Sequence, residues 1–177
     1  MPGVQLWTYR RNAMLYDQDH PVVSHPPCGP WSNLKLMNKV QSPLCAPLAV
    51  EIVRRCGGVL EHPAGSGLWA HAGLPKVGAP PDAFGGVTIQ VNQCEWGHVA
   101  RKKTWLYLVG VPEESVTAPP FPDRQPTHWV CGGRNPNRKG SGGLVPKGIK
   151  VCSAQQRRRS PKAFAEWLVA LARASAR

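Results

Sequence analysis

The run Ser24-His25-Pro26-Pro27-Cys28-Gly29-Pro30-Trp31-Ser32 follows the apolar pair Val22-Val23, so a cysteine sits on a proline-stiffened turn just past a predicted strand. Prolines fix φ and remove backbone donors, which holds the thiol's anchor in few conformations. Parallel sheets bind ligands beyond the carboxyl ends of their strands, and that is where such a turn displays a nucleophile. Val59-Leu60-Glu61-His62-Pro63 repeats the design with a carboxylate at the strand end, and Arg101-Lys102-Lys103-Thr104-Trp105 sets cations beside another apolar run. Thiol, acid and cation at three successive strand ends suit chemistry on a polarisable ring.

The elements that must position these groups are read from periodicity. Val4 to Tyr9 alternates as a strand, and Ala13 to Tyr16 is a second strand or a short helical turn. Val22 to Ser24 is the strand that carries the Cys28 turn. Pro47 to Arg55 reads as a helix, with Pro47 at its start, Leu48 and Ile52 on one face, Arg54 and Arg55 in the last turn and Gly57-Gly58 as the stop. It leads into Val59-Leu60-Glu61, so strand, helix and strand make a βαβ unit with a right-handed crossover. A Gly/Ala/Pro-rich loop then runs to Gly86. Val87 to Val91 alternates, and Thr104 to Val111 is apolar on both faces, which predicts a central strand. After the proline stretch 118–122, the glycine-rich segment 132–143 reads as a mobile basic loop, and a helix over 161–174 closes the chain with Ser160 as its cap and Phe164, Leu168, Leu171 and Ala172 as its stripe.

The three strand-end elements, taken in order, resemble the DNA cytosine-C5 methyltransferases. That family joins a P-P-C turn ending in an aromatic and a serine to an E-N-V strand end and a Q-x-R-x-R strand. Pro26-Pro27-Cys28-Gly29-Pro30-Trp31-Ser32 matches the first, Leu60-Glu61-His62-Pro63 the second with His-Pro in place of Asn-Val, and Arg101-Lys102-Lys103 stands where the third lies. Val91 to Gly97 and Trp105 to Gly110 look like its flanks. The glycine-rich turn with which the family holds S-adenosylmethionine is absent before Cys28, and no large target-recognition segment follows Gly110. The chain is therefore similar to the short members carried by bacteriophages and prophages.

The resemblance implies a Rossmann-like α/β fold: a mostly parallel sheet flanked by helices, with a reduced N-terminal half, in one domain over 1–177. It implies that Cys28 adds to carbon 6 of a cytosine and that Glu61 hydrogen-bonds ring N3 and the exocyclic amine, holding a proton there through burial. Pro27, Ser32, Lys102 and Lys103 are the implied substrate contacts. Asp17 and Pro26 are the candidates for S-adenosylmethionine. His25 and Lys102 are candidates for the positive charge that raises the thiolate fraction.

Each residue also has a plainer reading. Cys28 can be a small buried hydrophobe, Glu61 a salt-bridged surface group, and the lysines solvated guards of an edge strand. A zinc site gathering His25, Cys28, His62, Cys94, His98 and Cys131 ranks third, and no metal is expected.

Charge points to the partner. The 177 residues carry 22 Lys and Arg against 10 Asp and Glu, a net +12 that attracts polyanions, DNA above all. Arg134, Arg138 and Lys139 in the basic loop, and Arg157, Arg158 and Arg159, are the expected phosphate contacts, and Trp31, Trp69 and Trp96 are candidate stacking platforms. Chemistry at carbon 6 needs a flipped or single-stranded base. A catalytically silent DNA-binding relative, acting against restriction or in regulation, and a pyrimidine enzyme transferring a group other than methyl are the alternatives.

The six cysteines form no C-x-x-C pair, and Met1 to Trp7 lacks a basic region followed by an apolar core, so reduced thiols in a cytoplasm are expected, the host's for a phage protein. No apolar run reaches the roughly 18 residues that span a bilayer, and no membrane role is expected.

Overall fold

A computed structural model of the chain describes residues 1–7, 11–31, 44–130 and 148–175. It is a mixed α/β structure in two compact units. The first comprises Met1–Val91, Thr104–Thr117 and Glu166–Arg177, and the second Asn92–Lys103 and Ala118–Ala165.

The first unit is built on β1 (Val22–Ser24), α1 (Cys45–Cys56), β2 (Gly58–Pro63), α2 (Leu68–His71), β3 (Val87–Asn92) and β4 (Lys103–Val109), in a four-stranded sheet of order β1-β2-β4-β3. Helix α1 buries Ala46, Ala49, Val50 and Val53, the spacing of a single helical face. Pro47 is tolerated in its first turn, where amides have no intrahelical acceptor. The helix ends as the Gly57 amide donates to the Val53 carbonyl at 2.9 Å. These four residues pack with Leu60, Leu68, Trp69, Leu74, Tyr107 and Val109 as the core, and Val22, Trp31 and Trp105 lean on it.

The expected βαβ unit is present: β1 pairs parallel with β2, Val22 opposite Gly58 and Ser24 opposite Leu60. The expected mostly parallel sheet is not. Strand β4 runs antiparallel to β2, with Glu61 opposite Leu106 and His62 opposite Trp105, so the sheet is mixed. Among the described residues of this unit, α1 is the one helix between strands long enough to carry the chain back for a parallel pairing; α2 has only 4 residues. The central position expected for β4 holds, since β2 and β3 flank it.

Two smaller expectations change, and one that had two readings is decided as the helical turn. Residues 4–7 form no strand; Trp7 packs edge-on against Tyr16 at 5.1 Å rather than pairing its backbone, and residues 8–10 lie outside the described residues. Ala13–Leu15 is a single 3-10 turn, capped where Asn12 Oδ1 accepts from the Met14 amide. The glycine-rich stretch before Gly86 contains α2, fixed by burial of Leu68 and Trp69.

The second unit holds a 3-10 turn at Gln93–Trp96, the parallel pair β5 (His128–Trp129) and β6 (Lys150–Val151), and α3 (Ala154–Arg158). Ser153 and Gln156 form a reciprocal capping box at the start of α3. Trp96 meets Phe164 edge-on at 5.3 Å, and the buried His98 ring accepts from the Ala100 amide at Nδ1 and reaches the Gln156 carbonyl with Nε2 at 3.0 Å. The closing helix, α4 (Lys162–Ala174), begins one residue later than expected and buries the predicted stripe of Phe164, Leu168, Leu171 and Ala172. No described helix is long and apolar enough to cross a membrane.

Candidate functional site

The parallel register of β1 and β2 brings the two strand ends together. Residue 25 is the first beyond β1 and residue 61 the first beyond the Ser24–Leu60 pair, so His25 and Glu61 are lateral neighbours. His25 Nε2 lies 2.5 Å from Glu61 Oε2. The carboxylate is 1% exposed and the imidazole 50%, so one member of the pair is interior and the other reaches water.

The Cys28 turn is therefore pinned at its start by His25. It is also pinned at its end. The Trp31 carbonyl accepts from the Gly67 amide at 2.9 Å, and the Trp31 ring rests on His71 with centroids 4.8 Å apart. Between these anchors Pro26 is buried, Pro27 exposed, and Gly29–Trp31 forms a 3-10 turn whose Trp31 amide bonds the Cys28 carbonyl at 3.1 Å. Cys28 itself is a free, exposed cysteine, not the buried hydrophobe of the plainer reading. Glu61 is not the surface glutamate of its plainer reading either, because β2 is covered on both edges by β1 and β4.

His62 turns to the opposite face of β2, against Trp69 at 6.4 Å between centroids. Its ring nitrogens make no hydrogen bond of good geometry, the Pro27 carbonyl giving only a weak polar contact. Burial, more than anything else, pushes its pKa down to about 4, helped by the nearby His25 and opposed by Glu61. His62 is a neutral ring beneath the turn.

Within the first unit, then, the structure brings His25 to Glu61 and Pro27 to His62, with Pro26 buried and Cys28 exposed on the same turn. Lys102 and Lys103 belong to the second unit. Lys102 adopts φ +37 and donates from Nζ to the Arg159 carbonyl at 3.4 Å, while Lys103 opens β4 with its side chain exposed. Arg157 and Arg158 close α3 and Arg159 follows it, all three exposed. Asp17 is exposed ahead of β1. Ser32, Cys131, Arg134, Arg138, Lys139 and the segment 132–143 lie outside the described residues.

One expectation and one third-ranked alternative are corrected. Trp69 and Trp96 are core rings, 5% and 4% exposed, and Trp96 offers no face on which a base could stack. The zinc account fails among the described residues, where no group of three His, Cys, Asp or Glu side chains could hold a metal. The partnership of His25 with Glu61 was not foreseen, although extending the parallel register by one residue finds it.

Comparison of the chain with protein-family models, with curated proteins and with solved structures gives no match.

Proposed function

We propose that the protein acts on cytosine in DNA, flipped out or single-stranded, by the covalent thiol route of the cytosine-C5 methyltransferases. The contact between His25 and Glu61 carries this reading, because it ties the turn bearing an exposed thiol to the strand end bearing a buried carboxylate.

In this reading the Cys28 sulfur bonds to ring carbon 6, and the electron pair of the 5,6 double bond moves toward N3. Glu61 hydrogen-bonds N3 and the amine, offsetting the charge that develops there. His25 orients the carboxylate. Carbon 5, now enamine-like, takes a proton or another electrophile; loss of the original hydrogen and departure of the thiolate restore the ring.

S-adenosylmethionine is the electrophile the resemblance implies, and the described residues do not fit it. Strand β1 is the edge of the sheet, the glycine turn Gly65-Ser66-Gly67 follows β2 rather than a strand before Cys28 and leads only into the four-residue α2, Asp17 stands in solvent and buried Pro26 has no N–H to donate.

Addition alone is testable, because reversal in heavy water leaves deuterium at carbon 5. Cytosine-containing single strands incubated with the protein in heavy water gain mass at carbon 5, Cys28→Ser abolishes the gain, and Glu61→Gln slows it about 100-fold. DNA binding without any exchange overturns the enzymatic reading in favour of the silent DNA-binding relative.

A further inference from the structure

On the face of the sheet that His62 shares with Trp105, the first unit opens into a cleft of about 510 Å³, walled by Trp69, Trp105, Leu74, Gln90 and Lys76. It is separate from the Cys28 turn's carboxylate, since Glu61 projects from the other face. The two indoles are 5.4 Å apart and tilted by 58°. Trp69 is the fixed member, buried with Nε1 donating to Thr88 Oγ1 at 3.0 Å. Trp105 is half-buried, and its Nε1 donates to Gln90 Oε1 at 3.2 Å.

That last bond decides what the cleft offers. It occupies the oxygen of Gln90 and turns the amide nitrogen outward as a donor. Lys76 adds an exposed cation without a carboxylate partner among the described residues. The site thus combines an aromatic wall of two tilted indoles, one donor and one positive charge. A planar ring with a carbonyl or ring-nitrogen acceptor on its edge and an anion at the end of a short linker satisfies all three, and a nucleotide is such a molecule. A base inside a duplex has both faces stacked and its edge paired, so it cannot enter; an unpaired base can. The surplus of basic over acidic residues, net +12, favours a polyanion over a lone neutral ring.

We infer that this cleft seats one unpaired nucleobase of single-stranded DNA, stacked on Trp105, with its acceptor edge on Gln90 and its phosphate at Lys76. The inference does not depend on Cys28 or Glu61, and its test requires no turnover. Anisotropy of a labelled oligothymidylate of about ten nucleotides is compared with that of an equally long abasic sugar-phosphate chain. The full chain binds the base-bearing strand about tenfold tighter than the abasic one. Trp105→Leu removes that preference, and Gln90→Leu, at an exposed position that does not threaten folding, weakens it while leaving abasic binding unchanged. Lys76→Ala weakens both strands and lowers the slope of log affinity against log salt by about 0.7. Equal affinity for the two strands, or a base preference that survives Trp105→Leu and Gln90→Leu, overturns the assignment.

Discussion

His25 and Glu61 form a pair in which a half-exposed imidazole contacts an almost wholly buried carboxylate at 2.5 Å, one residue beyond the point where β1 and β2 stop pairing. The contact extends the sheet's lateral register through side chains, so it fixes where the Cys28 turn leaves the sheet. Removing His25 takes a polar partner from a group that water cannot reach. His25→Ala is expected to destabilise the fold by about 1–2 kcal/mol, less than a fully buried pair because half the ring is already solvated. With Glu61→Gln in the same background, urea unfolding gives a coupling of about 1 kcal/mol. Strictly additive effects mean that the pair contributes nothing.

Gly58 is the residue on which the β1–β2 approach depends. It sits at φ +109, and a Cβ there would stand 2.1 Å from the Val22 carbonyl oxygen and 2.7 Å from its nitrogen. Both are backbone atoms of the strand that carries the turn, so nothing flexible can give way. Gly58→Ala is expected to cost about 2–4 kcal/mol through left-handed strain and lost pairing. Amide exchange at Val23 and Ser24 accelerates well beyond that in β4. Unchanged protection at β1 rules the close approach out as the cause.

These two contacts show where the sequence could be read and where it could not. Helix α1 and strands β2 and β4 are legible because each carries apolar residues between clear stops, although α1 buries Ala46, Ala49, Val50 and Val53 rather than the face of Leu48 and Ile52. Even the three-residue β1 was visible, as an apolar pair before two prolines. Strand direction was not legible, since alternation is the same for parallel and antiparallel neighbours; the reversal of β4 depends on the absence of a second long crossover helix. Helix α2 lies in a stretch whose glycines and prolines signal only a loop, and tertiary burial of Leu68 and Trp69 overrides that signal. Cys28 and Glu61 stand out by residue type and order, whereas the contact of His25 with Glu61 needs the register, which only pairing supplies.

Gly86 guards a different network. Tyr107 donates its hydroxyl to Asp82 Oδ2 at 2.7 Å, and Arg54 reaches the same oxygen at 3.3 Å and the Ala72 carbonyl at 3.1 Å. Burial pushes the Tyr107 hydroxyl up to about 12, with the Asp82 charge adding to it and Arg54 opposing. A Cβ on Gly86 would lie 2.2 Å from the Tyr107 ring, at the turn whose amide bonds Asp82. Gly86→Ala therefore displaces the ring and the carboxylate's donors together, for about 2–4 kcal/mol. Tyr107→Phe, which removes only the hydroxyl, costs about 1–2 kcal/mol. In an alkaline absorbance titration the wild type shows one tyrosine ionising near pH 12 that is missing in Tyr107→Phe. A titration identical in both variants refutes the buried hydroxyl.

His62 gives the fold an acid-sensitive point whose direction follows from linkage. Its pKa in the folded chain is about 4, against 6.5 for an unhindered imidazole, mainly because burial penalises the charged ring. The unfolded chain therefore binds a proton first as pH falls. Stability from keeping this ring neutral is fully present above pH 6.5, declines between 6.5 and 4, and falls no further on this account below that. The difference corresponds to about 3 kcal/mol over the interval. The charged and titratable neighbours, Glu61 and His25, act on the ring with opposite signs and leave burial in control. Urea midpoints measured from pH 7 to 4 should drop steeply for the wild type and much less for His62→Leu. Comparing slopes rather than absolute stabilities separates this effect from the packing change that the substitution brings, and parallel slopes for the two proteins would falsify a neutral, buried His62.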